Sequence, residues 1–251
     1  MSQFGRSPFG GGYSMAGPPV TPMLRRLLIA LGVAFAVQTF IELFLRSSYG
    51  PGGESLISLW LGVWSPLLFR GALWQLLTYG FLHGGIFHLL MNMLGLWMFG
   101  GEVERMLGSR RFLYFFLACV AGGGVLHAVL NAWMGQAVPV IGASAGVIGV
   151  VMAFILFNPN RMIMLLIPPI PMRAKTLGWI YLALDLYGAM TSHINNSAVS
   201  NFAHLGGMAV AFIYIKFFFG PGGWGGVRFR FTRRKRYTVV RDDDRGPFTF
   251  H

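Results

Sequence analysis

Along the 251-residue chain, apolar residues do not alternate with polar ones; they run together in long blocks. Six blocks stand out, at 27–45, 85–101, 112–133, 144–158, 174–192 and 203–219. A run of about 20 apolar residues is the length an α-helix needs to cross a bilayer. The pattern therefore predicts an all-α, polytopic membrane protein with six transmembrane helices. A seventh apolar stretch, Met162–Met172, is too short to cross. Pro168, Pro169 and Pro171 interrupt it, so an interfacial connection is expected there. The fourth block, Ser144–Asn158, is short for a crossing. Its helix should begin below the outer surface, and its lead-in Ala137–Ala143 should be non-helical backbone at membrane depth. Such backbone is tolerated where protein buries it or water fills a cavity.

Composition agrees with the pattern. The chain is 55% hydrophobic and 11% charged, against roughly a quarter charged in soluble domains. The ends differ from the middle. Residues 1–22 are rich in Gly, Ser and Pro and are expected to form a flexible cytoplasmic tail rather than a signal peptide. Residues 23–220 form the membrane domain, and 221–251 a basic cytoplasmic tail. The single thiol, Cys119, lies within the third block and reads as a small packing residue; no intramolecular disulfide can form.

Charge sets the orientation. With both termini in the cytoplasm, all but Arg46 and Arg70 of the 20 Lys and Arg residues fall on that side, as the positive-inside bias requires. The cluster Arg228–Arg236, interleaved with Phe229 and Phe231, is expected to attract anionic lipid headgroups, with no nucleic acid partner.

In this orientation four polar residues fall in the outer half of the membrane: His88 and Asn92 on the second block, Ser144 opening the fourth, and His204 near the start of the sixth. Polar and ionisable groups in a bilayer are costly, and so mark functional sites. A serine hydroxyl becomes a nucleophile when a base takes its proton, and His204 can be that base. The Ser144 amide, at a helix start, and His88 with Asn92, spaced i and i+4 on one face, would form an oxyanion hole. Gly146 and Gly149 on one helix, with Gly207 and Ala211 on the other, would let the fourth and sixth spans touch. Asp185 falls mid-span in the fifth block, and Glu54 lies in the first external loop. A Ser-His dyad is expected rather than a triad. Each feature also has a bland reading: the Gly142–Gly146 string as plain helix packing, Asn92 as interhelical glue, and His83, His127 and His193 as interfacial hydrogen-bonding residues.

The same residues resemble the signatures of the rhomboid intramembrane serine proteases over most of 60–215. Trp74 to His83 resembles the end of that family's first external loop, and His83, His88 and Asn92 its second-span pattern. Glu102-Val103-Glu104-Arg105-Met106-Leu107-Gly108-Ser109 is similar to its first cytoplasmic turn. Gly142-Ala143-Ser144 resembles the nucleophile motif, and Ala203-His204 with Gly207 the base motif. The resemblance implies a rhomboid-like helical bundle of bacterial inner-membrane type. It implies Ser144 as nucleophile, His204 as base, His88, Asn92 and the Ser144 amide around the oxyanion, and Gly142 shaping the loop. It implies no cofactor and no metal, and transmembrane segments of other proteins as substrates. Three positions depart from the family pattern: Gln75 where Arg is frequent, Ile148 where an aromatic often supports the base, and Ala211 in place of glycine. Two other functions fit the composition: a non-proteolytic binder of membrane proteins on the same scaffold, and a metal-ion transporter using His83, His88, His127, His193 and His204.

Overall fold

The computed structural model describes Pro18 and residues 20–44, 55–164, 170–195 and 201–219. The two tails, Arg46, Glu54, the Arg228–Arg236 cluster and the side chain of His193 lie outside the described residues. Six main helices follow the apolar blocks: α1 Pro22–Phe44, α5 Ile86–Leu107, α6 Ser109–Trp133, α7 Ser144–Phe157, α8 Ala174–Asn195 and α9 Asn201–Phe219. Four of these, α1, α5, α6 and α9, are long and apolar enough to cross a membrane. Helix α7 has only 14 residues, about 21 Å at 1.5 Å per residue, and α8 carries Lys175 and Asp185 within its 22.

The packing order follows from composition. Helix α7 is apolar all round and is buried on nearly every side, from Ala145 to Ile155, as expected for a helix with no polar face. It sits among α5, α6, α8 and α9, while α1 packs on α5. Helix α8 touches α7 and α9 and leaves Trp179, Leu184, Tyr187 and Met190 exposed.

Close approach, rather than bulk, joins α6, α7 and α9. A methyl group placed on Gly207 would lie 2.2 Å from the Ala145 carbonyl oxygen. One on Gly206 would lie 2.7 Å from the Gly122 carbonyl. Ala211 is fully buried on the same helix. Gly146 was expected against α9, but it faces α6, where a methyl would meet Phe116 at 2.5 Å. Gly149 sits between the two: Cys119 of α6 fills the space beside it, and the Gly207 carbonyl lies 3.4 Å from where its methyl would be. The α7 seam toward α9 is thus Ala145 and Gly149, one helical turn apart.

The connections hold more structure than their apolar pattern suggested. The segment before α5 folds into short helices α2 Leu56–Leu61, α3 Ser65–Leu68 and α4 Gln75–Thr78, then a 3-10 turn at Tyr79–Phe81. The stretch read as an interfacial connection contains a small antiparallel hairpin, β1 Met162–Met164 and β2 Pro171–Arg173, in which Ile163 pairs with Met172. Met162 and Met164 alternate outward from Ile163, a period-2 pattern too short to recognise in sequence. The Glu102–Leu107 segment, read as a turn, continues α5 for its last turns. The break falls instead at Gly108, whose φ of 82° suits glycine.

Candidate active site

Ser144 begins α7 at the end of a loop that is tied down from four sides. Val140 and Val63 exchange both backbone hydrogen bonds at 3.0 Å. The Gly142 amide donates to the Tyr79 carbonyl at 2.9 Å, while the buried Tyr79 hydroxyl donates to the Val120 carbonyl at 2.6 Å. Trp64 Nε1 donates to Ala137 O at 2.9 Å, and Asn131 Nδ2 to Val138 O at 3.0 Å. A non-helical segment among apolar helices needs its amides and carbonyls paired, and these bonds supply the pairing. Gly142 takes φ of 129°, and a methyl there would strike His88 Cε1 at 2.8 Å. Only glycine suits that position.

His204 Nε2 lies 2.8 Å from Ser144 Oγ. The other ring nitrogen, Nδ1, lies 2.9 Å from Asp185 Oδ1. The expectation that no carboxylate accompanies the pair is therefore overturned. Asp185 lies midway along α8, and α9 begins beside Gly188, where an added methyl would meet Asn201, so His204 near the start of α9 is level with the middle of α8. Ile148 brings no aromatic ring from α7, and the contact to the far side of the His204 ring comes from α8 instead.

Helices α5 and α7 run parallel. Gly142 meets His88 near the start of α5, and Gly95 meets Val147 further along, where a methyl on Gly95 would lie 2.7 Å from Val147 Cγ1. Asn92 and Ser144 each lie three residues before that second contact, so the register sets them level. The Asn92 side chain is buried and its Nδ2 has no hydrogen-bond partner among the described residues. His88 Nδ1 faces the Gly84 amide at 3.5 Å, leaving Nε2 toward the Gly142 side.

The remaining histidines separate. His83 is 1% exposed and, against the hydrogen-bonding reading, neither ring nitrogen has a partner among the described residues. Its ring packs edge-on against His88, with centroids 5.1 Å apart. Burial, with His88 beside it, pushes its imidazole down to about 4. The His83 backbone is clamped by Gln38 of α1, which donates to its carbonyl and accepts from its amide. His127 lies near Asn131 and the Val138 carbonyl under the serine loop. Among the described residues, no three His, Cys, Asp or Glu side chains gather as metal ligands would. Gln75 shows how the loop before α5 is fixed without an arginine. It is fully buried, accepts from the Trp64 amide at 3.1 Å and donates to Leu59 O at 2.8 Å.

A polytopic helical membrane protein with a hydrogen-bonded serine and histidine between α7 and α9 defines the class. Residues 70–221, more than half of the chain, match the Rhomboid domain, and the chain belongs to the rhomboid family. It is 34% identical over 157 residues to RHOMBOID-like protein 12, mitochondrial, of Arabidopsis thaliana, covering 57% of this chain and 46% of that protein. It is 33% identical over 152 residues to Rhomboid protease GluP of Bacillus subtilis, covering 59% of this chain and 26% of that protein. With Putative rhomboid protease YdcA of the same bacterium it shares 28% over 149 residues, covering 57% of this chain and 66% of YdcA. The chain thus spans between about a quarter and two thirds of these relatives' lengths. Mitochondrial and bacterial proteins occur together among them, so kinship identifies a membrane protein without fixing the membrane.

Proposed function

We propose that this protein is an intramembrane serine endopeptidase that cuts transmembrane segments of other membrane proteins. The observation that carries the reading is the 2.8 Å contact between His204 Nε2 and Ser144 Oγ. In the proposed reaction the Ser144 oxygen attacks the scissile carbonyl while His204 Nε2 takes its proton. Negative charge then develops on the carbonyl oxygen, and the Ser144 amide, Asn92 Nδ2 and His88 Nε2 meet it as donors. The unpartnered amide of Asn92 supports this role, because a buried donor without an acceptor is costly unless a ligand supplies one. His204 returns its proton to the leaving amine, and water then attacks the acyl-serine with His204 again as base.

The substrate must unwind to be cut, since a helical peptide bond is shielded by its own backbone. Segments with Gly or Pro near the cleavage point unwind at lower cost. On this reading six helices span the membrane between cytoplasmic tails at 1–22 and 221–251, in a membrane of bacterial inner-membrane type, with the basic tail on anionic headgroups. No cofactor or metal takes part.

Purified full-length protein treated with a fluorophosphonate serine-hydrolase probe tests the assignment. The wild type should label; Ser144→Ala should not, and His204→Ala should label far more slowly. Labelling that survives Ser144→Ala removes this serine as the nucleophile. A non-proteolytic binder would leave the wild type unlabelled.

A further inference from the structure

Asp185 takes no part in the chemistry above, yet it sits in the membrane domain at 6% exposure. We propose that Asp185 is a positioning residue for His204: it fixes the tautomer that can accept the Ser144 proton and balances the charge formed when it does. The proposal rests on Ser144 and His204 being the working pair.

The tautomer argument follows from valence. A neutral imidazole carries one N–H. If Nε2 is to accept from the Ser144 hydroxyl at 2.8 Å, the hydrogen must sit on Nδ1. Nδ1 then needs an acceptor, and Asp185 Oδ1 is at 2.9 Å. With no acceptor there, the ring is free to put its hydrogen on Nε2, where it faces the serine as a second donor and no proton can move.

The charge argument follows from the environment. Asp185 is a costly residue for a membrane-spanning helix, and its Oδ2 has no partner among the described residues. A carboxylate kept to tie helices together would be better served with both oxygens paired. One oxygen on Nδ1 and one free is a poor tie. It is a good counter-ion for an imidazolium that exists only while the serine proton is on His204. The free Oδ2 also makes a clean experiment. An asparagine at 185 loses the charge and can turn its amide N–H toward Nδ1, which favours the wrong tautomer; leucine offers Nδ1 no partner at all.

The test uses full-length protein in detergent micelles and the fluorophosphonate probe, resolving the maximal inactivation rate from the probe's half-saturation concentration. Asp185→Asn and Asp185→Leu should each lower the maximal rate by about 10²-fold or more, with half-saturation changed less than twofold. In protein carrying 15N-histidine, the protonated Nδ1 resonance of His204 should be present in the wild type and lost in both Asp185→Asn and Asp185→Leu. A maximal rate within twofold of wild type in both variants overturns the proposal. So does a raised half-saturation with an unchanged rate, the mark of a merely structural tie. Ser144→Ala in parallel separates the two ideas: if it still labels, the working pair is wrong; if it is dead while Asp185→Leu is normal, only the role of Asp185 falls.

Discussion

Two buried polar clusters, one at each end of the bundle, differ in how completely their valences are filled. At the end where α5 meets α6 and the start of α1, Glu104 is 2% exposed and fully engaged. Its Oε1 accepts from the Met23 amide at 3.0 Å and from Ser109, and its Oε2 accepts from the Leu24 amide at 2.7 Å and from Thr21. It caps the first turn of α1 from another helix, where amides lack partners and the helix dipole favours negative charge. At the other end, Asn92 Nδ2, Asp185 Oδ2 and both ring nitrogens of His83 are buried without partners among the described residues. A closed network is what a stable fold selects; open valences there have to be explained by something that arrives. The contrast separates polar residues kept for folding from those kept for chemistry.

The strongest test of that division is the proposed nucleophile. Ser144→Ala should reduce proteolysis of a single-span model substrate by at least about 10⁴-fold, read by mass spectrometry of the fragments. Its unfolding midpoint should match the wild type, because a hydroxyl that faces a base contributes little to packing. A variant that unfolded easily and cut normally would invert the comparison.

Glu104→Gln probes the closed end. Replacing one oxygen by an amide turns two acceptors into a donor facing donors, and should cost about 2–4 kcal/mol of stability. Catalysis per folded molecule should be unchanged, measured by probe labelling beside an unfolding titration. Asn92→Ala is its mirror at the open end: about 10²-fold slower cleavage, with stability equal or higher since an unpaired donor is removed. If Asn92→Ala lost stability and kept its rate, Asn92 would belong with Glu104.

The sequence made the open cluster more legible than the closed one. Ser144, His204, His88 and Asn92 stand out in the sequence as polar residues at one expected depth among apolar blocks, and the structure joins the first two. Asp185 was misjudged by the same arithmetic. Counting from the ends puts it mid-membrane and His204 near a helix start, and nothing in either segment shows that α9 begins beside Gly188, well before α8 ends. The six main helices were visible as blocks; α2, α3, α4 and the β1–β2 hairpin were not, because four- to six-residue helices and three-residue strands are too short to show a period. The direction of Gly146 was illegible for a different reason. Its neighbours Ala145 and Gly149 are also small, so the string does not reveal which face meets α6 and which meets α9.

His83 gives the smallest expected effect and the sharpest check on what an open valence costs. Its folded value, about 4, lies below the ordinary histidine value near 6.5. Between those values the unfolded chain binds a proton that the folded one refuses, so stability is complete above about pH 6.5 and falls as pH drops toward 4. The loss assignable to this residue between pH 7 and 5 is about 1–2 kcal/mol. Phenylalanine keeps a ring edge against His88 but cannot take up the proton. His83→Phe should therefore match or exceed wild-type stability at pH 7, where two unpaired ring nitrogens have been removed, and should lose less on acidification. Unfolding titrations of both proteins at pH 7 and 5 measure the difference. An identical acid loss in the two would mean that His83 finds a proton acceptor in its pocket, and that this part of the open cluster is closed after all.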